Sequence, residues 1–266
     1  MNAYAPIRKV PLDYNGIASS AFAVQMEREV KDKETELLTN QWKEVGVVGN
    51  KYLLIPNTEV KDLADDIANQ SKLDWAPLKT FFDGRRYFYG MQCRTTTEEV
   101  KVGDDVGIGI GFWNSYDGST ALSFRLFLVR LACTNGMISK DTFQSFRFKH
   151  DSSSEGYEEE IMKAVDTIDN CSSNIDTAVN GLRKMVDTTF DIDEMKKVRT
   201  LIPALPVTTW GKITDNYLKK YHIHDDVSLW EFYNSCTDIL WHDKKPTVAS
   251  FQHNAYITDA LLGAMA

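Results

Sequence analysis

The sequence predicts an α+β fold, with a central antiparallel β-meander packed against a long helix and a mainly helical C-terminal part. Three observations carry this reading. Short apolar runs occupy residues 87–97, 106–114 and 121–133, and Ser115, Tyr116, Asp117, Gly118 and Ser119 supply turn chemistry between the second and third. Ile161, Val165, Ile168, Ile175, Val179, Leu182, Met185 and Val186 recur at three- and four-residue intervals across residues 152–199, as one long helix or two joined near 171–174. Two prolines in 202–207 break that pattern, and helical segments follow around 210–222, 228–240 and 247–262.

In chain order, residues 1–44 form an N-terminal arm or helix, because 22–38 carries enough Glu, Lys and Met for a helix with a weak apolar stripe. Residues 45–55 are rich in β-formers, punctuated by Gly46, Gly49 and Asn50, and fit a strand or hairpin. Val60, Leu63, Ala64, Ile67 and Ala68 then show helical spacing, with Asn57 or Thr58 as the N-cap. Phe143, Phe146 and Phe148 extend the meander. The boundaries drawn are 1–44 for the arm, 45–200 for an α+β core and 201–266 for the helical C-terminal region.

A chain of 266 residues with 43% apolar content has enough nonpolar surface for a core without disulfides or metal. Thirty basic residues against 38 acidic ones give a net charge of -8, so any attraction to phosphate must be local. Cys93, Cys133, Cys171 and Cys236 stand far apart with no zinc-ligand spacing, which predicts free, buried thiols. No apolar run is long enough to cross a bilayer and no targeting segment opens the chain, so a cytoplasmic protein is expected.

Between Val106 and Phe112, apolar residues alternate with Gly107, Gly109 and Gly111, leaving one strand face without side chains. Either a helix packs closely there or the strand coils strongly; the functional option is a nucleic-acid backbone or a second subunit lying on the glycines. Asn114, Ser115, Asp117, Gly118, Ser119 and Ala121, followed by Arg130, Cys133, Asn135 and Gly136, resemble the phage- and plasmid-encoded proteins catalogued as domain of unknown function 932. Gly49, Tyr52, Ile55, Pro56 and Asn57 are similar to that family's N-terminal signature, so the resemblance spans most of residues 45–260. It implies a mobile-element origin and no activity transferable to particular residues. A meander followed by a long helix also looks like the core of ring-forming strand-annealing proteins.

Residues 75–150 hold ten Lys or Arg against seven acids, inside a chain that is otherwise acidic. Basic residues interleaved with Phe81, Phe82, Tyr87, Phe88, Tyr89, Trp113 and Tyr116 are what a single-strand binder needs, since cations track phosphates and rings stack on unpaired bases. The competing reading puts the rings in the core and the arginines at the sheet edge. Arg125 and Arg130 have opposite parity in one apolar strand, so one of them points to a buried face and needs an anionic partner, either Asp117 or Glu98 within the fold or a ligand phosphate. Arg85, Arg86, Tyr87, Trp113, Arg125 and Arg130 are the expected binding residues.

His222, His224, His242 and His253 with Asp225, Asp226 and Asp243 could be assembled into a carboxylate-histidine metal site, although no established metal motif accompanies them. Cys133 ends an apolar strand as a core thiol rather than a nucleophile, and no phosphate-binding or dinucleotide-binding loop is present. Glu155, Glu158, Glu159 and Glu160 complement a helix N-terminus, or alternatively meet the basic sheet of a second subunit head to tail. The leading expectation is a non-enzymatic, oligomeric single-stranded DNA-binding protein without cofactor or membrane contact, with strand annealing as the process it would serve. Its rivals are a structural or host-interaction protein and a metal-dependent enzyme acting on nucleotides or nucleic acid.

Overall fold

In the computed structural model, residues 2–14, 17–33, 36–132, 135–137, 145–148, 157–203, 205–221, 227–243 and 247–265 are described. The N-terminal part is a three-stranded antiparallel sheet in the order β1 (Ile7–Tyr14), β2 (Ile17–Lys31), β3 (Leu38–Gly49). The helix expected over 22–38 is therefore replaced, among the described residues, by the second half of β2 and the start of β3. Phe22, Val24 and Met26 alternate with Ala23, Gln25 and Glu27, and this period of two places the larger apolar side chains on one face. Val24, Met26, Val45 and Val48 bury that face together with Tyr116, so cross-strand burial overrides the helical propensity of Glu and Lys.

α1 (Asn57–Gln70) follows, with Pro56 rather than Asn57 or Thr58 at its N-cap. Its Val60, Leu63, Ala64 and Ile67 are buried, a stripe in which Val60, Leu63 and Ile67 each contribute about 1.5–3 kcal/mol on full burial.

The central sheet is antiparallel throughout, in the order β4 (Trp75–Phe82), β5 (Arg86–Lys101), β6 (Asp104–Ser115), β7 (Leu122–Arg130), β8 (Asn135–Met137), with β9 (Ser145–Phe148) pairing a second stretch of β7. β9 includes Phe146 and Phe148 as expected, whereas Phe143 and Cys133 lie outside the described residues. β4 is an edge strand whose register breaks between Pro77 and Lys79, as befits a strand containing a proline.

The register sorts side chains between two faces. Val106, Ile108, Ile110 and Phe112 lie opposite Arg130, Leu128, Leu126 and Phe124, and this face packs on α1 and on α2 (Tyr157–Val186), whose Ile168, Ile175, Val179, Leu182 and Met185 are buried. α3 (Ile192–Leu201), α4 (Val207–Lys220), α5 (Leu229–Asp238) and α6 (Val248–Ala264) complete the helical part; the short β10 (Thr189–Phe190) and β11 (Val227–Ser228) pair with each other between them.

The glycine face is occupied. A Cβ on Gly109 would stand 2.6 Å from the Phe127 ring, and one on Gly111 would stand 2.7 Å from Phe88 and 2.8 Å from Trp113. Those rings join Trp241 and Phe251 in one aromatic cluster, with Trp241 supplied by a π-helical turn, Ile239–Asp243, and Phe251 by α6. Rings of the sheet itself, with Trp241 and Phe251 packed against them, therefore use the room that Gly109 and Gly111 leave. Cys93 and Cys236 are free and buried, and burial pushes the Cys236 thiol well up. Among the described residues, no helix is long and apolar enough to cross a membrane.

Candidate nucleic-acid interface

The six residues expected to bind fall into three environments. Arg85 and Arg86 are exposed at the turn between β4 and β5. Asp83 shapes that turn by accepting from both of their backbone N–H groups, at 3.0 and 2.9 Å, and Gly84 takes the positive φ of 96°. Arg86 Nε donates to Ser119 Oγ at 3.1 Å, and the Tyr116 N–H donates to the Arg85 carbonyl at 2.8 Å, which ties the arginine turn to the β6–β7 loop. Neither side chain forms an ion pair with a described residue.

Tyr87 and Trp113 are interior. Tyr87 is 1% exposed with its hydroxyl 3.0 Å from that of Tyr4, and burial pushes its pKa far up. Trp113 is 2% exposed and packs edge-on against Phe251, ring centroids 4.4 Å apart. Neither ring presents a face to solvent.

Arg125 and Arg130 point to opposite faces, as their parity requires. Arg125 stands opposite Gly111 on the aromatic side and is partly buried. Arg130 lies on the helical side, where its Nε and Nη2 donate to Asp104 Oδ1 and Oδ2 at 2.6 and 2.7 Å. Its partner is thus neither Asp117 nor Glu98; Glu98 instead accepts from Arg183 at 2.9 Å. Trp230 Nε1 adds a bond to Asp104 Oδ2 at 2.8 Å. Burial raises the Asp104 carboxyl, but the bonds from Arg130 and Trp230 outweigh it and hold the group below its ordinary value. Lys101 pairs with Glu231 at 3.0 Å beside it, and Lys220 pairs with Asp238 at 3.0 Å. These pairs line a cavity of about 110 Å³ that Tyr221 and Asn234 also border. Among the described residues, Arg130, Lys101 and Lys220 are each matched by a carboxylate, Asp104, Glu231 and Asp238, a charge network of which the Asp104 side chain is the buried member. Asp104 and Trp230 escape a reading of the sequence because they are distant from Arg130 along the chain.

Part of the set that carries the family resemblance, Tyr52, Ile55, Asn57, Asn114, Ser115, Asp117, Gly118 and Ser119, converges at the sheet end next to Arg85 and Arg86, whereas Arg130, Asn135 and Gly136 lie at the other end of β7. Asn114 Nδ2 donates to the Ile55 carbonyl at 2.9 Å and to Asn57 Oδ1 at 3.0 Å, and Asn57 Nδ2 donates to the Ala3 carbonyl at 2.9 Å. The Asn57 N–H donates to Tyr116 Oη at 2.9 Å, and the Tyr52 hydroxyl donates to the Ser115 carbonyl at 2.5 Å. Burial raises the Tyr52 hydroxyl to about 12. Asp117 Oδ1 accepts from the Ser119 N–H at 3.0 Å, and Gly118 takes a φ of 73° in the loop. The signature is a buried lock that fixes the start of α1 on the β6–β7 loop, and it holds the arginine turn from behind.

Of the histidines, His242 Nε2 lies 4.0 Å from Asp238 Oδ1, while His222, His224, Asp225 and Asp226 lie outside the described residues. Among the described residues, no group of three or more His, Cys, Asp and Glu has an arrangement that would hold a metal ion.

These features define an α+β protein built on one antiparallel sheet with helical elements over both faces and a separate three-stranded sheet at its N-terminal side. The chain belongs to the family described as domain of unknown function DUF932, which matches residues 44–262. No curated protein and no solved structure matches it.

Proposed function

We propose that this chain binds single-stranded nucleic acid along its phosphate backbone, as an oligomer, in strand annealing or recombination of a phage or plasmid. The observation that carries the reading is the turn bearing Arg85 and Arg86: two adjacent guanidinium groups, exposed and without an ion pair to any described residue, on a scaffold fixed by the Asn57–Asn114 lock. Guanidinium forks match phosphate oxygens bidentately, and a rigid turn loses little freedom on binding. In a chain of net charge -8 such a turn is the kind of local cation site that phosphate binding requires. Since Tyr87 and Trp113 are interior, the interaction rests on charge rather than on base stacking by these rings, and it is insensitive to sequence.

Fluorescence anisotropy with a labelled oligothymidylate tests this. The double variant Arg85→Gln/Arg86→Gln is expected to bind about tenfold more weakly or worse, with an unchanged thermal midpoint. Equal affinity of the variant and the natural chain overturns the reading.

A second reading is favoured by a specific observation: Arg130 is taken up by Asp104 and both candidate rings are in the core. It makes the chain a structural or host-interaction protein of a mobile element, with a protein partner. An oligomer by native mass spectrometry combined with no oligothymidylate affinity selects this reading over the first.

A further inference from the structure

β2 is longer than the strand that flanks it on one side. β1 begins at Ile7, and the last backbone bond between this segment and β2 runs from the Glu27 N–H to the Pro6 carbonyl at 2.9 Å. Upstream of Pro6 the chain turns towards α1 and the central sheet, where the Ala3 carbonyl accepts from Asn57 and Tyr4 meets Tyr87. β2 continues to Lys31 with β3 on its other side, so residues 28–31 have an edge with no paired strand among the described residues. Unpaired strand edges present alternating N–H and C=O groups that another extended chain can satisfy.

A groove of about 670 Å³ opens beside this edge and reaches across β2 to β3, lined by Asn2, Ala5 and Pro6 of the departing segment, by Glu27, Arg28 and Glu29 of β2 and by Asn40 of β3. Arg28 is partly buried there, and its Nε–H is shut off from solvent without an acceptor. Its guanidinium forms no hydrogen bond or ion pair among the described residues, in contrast to Arg130 and Arg183. A buried guanidinium donor left without an acceptor costs free energy that an incoming carboxylate would recover.

We propose that this groove docks an extended peptide segment of a partner protein by strand addition to residues 28–31, with Arg28 receiving an acidic side chain of that peptide. Backbone bonds along the edge supply affinity and the arginine supplies selectivity, the usual division of labour in strand addition. A peptide is favoured over a nucleic-acid strand for two reasons. The free edge asks for alternating donors and acceptors, which a peptide backbone has and a phosphate backbone lacks. Glu27 and Glu29 also line the groove, and they repel a polyanion while tolerating one carboxylate opposite Arg28. The site is separate from the Arg85–Arg86 turn, so it stands or falls independently of the nucleic-acid reading.

An array of seven-residue peptides with alternating valine and threonine and a variable central residue, probed with the full chain, tests the proposal. Peptides with central Asp or Glu are expected to bind about tenfold more tightly than those with Gln or Lys, a preference that Arg28→Gln abolishes. Hydrogen exchange of the natural chain is expected to slow at residues 28–31 with the best peptide present. Three results overturn the proposal: no peptide binds above a proline-interrupted control, Arg28→Gln keeps the acidic preference, or oligothymidylate rather than peptide protects residues 28–31. The last result would assign the groove to nucleic acid.

Discussion

Arg130 and Asp104 meet side by side, Nε on Oδ1 at 2.6 Å and Nη2 on Oδ2 at 2.7 Å, and Trp230 Nε1 closes on the same carboxylate at 2.8 Å. The Asp104 side chain is 4% exposed, so removing its arginine strands a charge in the interior. Arg130→Ala is expected to lower the free energy of unfolding by about 3–5 kcal/mol in urea titrations. Arg86→Ala, at an exposed position, should stay within about 0.5 kcal/mol of the natural chain. A loss at position 130 no larger than that at 86 would mean that the pair is not structural.

Acid should weaken the fold through the same network. Asp104, Glu231 and Asp238 are each raised by burial but held lower overall, Asp104 by Arg130 and Trp230, Glu231 by Ser228 and Lys101, and Asp238 by Lys220 and Asn216. A folded-state pKa below the unfolded one gives stability that is present above the ordinary carboxylate value and is lost as pH falls through the depressed one. Urea midpoints from neutral pH downwards are therefore expected to drop below about pH 4. Asp104→Asn, less stable at neutral pH, should show a shallower drop.

The glycine strand gives a steric prediction. Gly109→Ala puts a methyl group 2.6 Å from both the Phe127 ring and Val129, with buried neighbours on every side. The expected cost is about 1–3 kcal/mol, with a change in near-ultraviolet circular dichroism as the aromatic cluster shifts. Gly49→Ala, where nothing lies within 4 Å of the added atom, is the matched control and should leave that spectrum unchanged.

Asn114 serves the lock at the sheet end. Asn114→Ala removes both donors that hold the Ile55 carbonyl and Asn57 Oδ1, in a site with 0% exposure. A loss of about 1–3 kcal/mol is expected from the stranded acceptors. Faster hydrogen exchange confined to the first turns of α1 would locate the effect, and uniform acceleration would contradict the local role.

Much of this architecture is legible in the sequence because its periodicities are clean. The turn residues at 115–119 centre a hairpin on Gly118, and the prolines at 203 and 206 separate α3 from α4. β2 is harder to read, since Glu27, Arg28, Glu29 and Lys31 occupy ladder positions that a neighbouring strand stabilises and that propensity alone assigns to a helix. β4 is hidden by Pro77, tolerated only because the strand lies at an edge. At the candidate site, parity established that one of Arg125 and Arg130 faces the helical side. It could not name Asp104, although a hairpin centred on Gly118 sets Arg130 opposite Val106, one pleat from Asp104 on the same face. The aromatic residues mislead for a related reason: rings that could stack on bases are also the rings that fill a sheet bared by glycines, and nothing local distinguishes the two uses.

The measurement that bears most directly on the nucleic-acid reading is the salt dependence of oligothymidylate binding. For the natural chain, log affinity should fall linearly with log salt, and Arg85→Gln/Arg86→Gln should reduce that slope by about 1.4, the share of two phosphate contacts on a single strand. Identical slopes for the two proteins, or no binding at low salt, would contradict a phosphate contact at this turn.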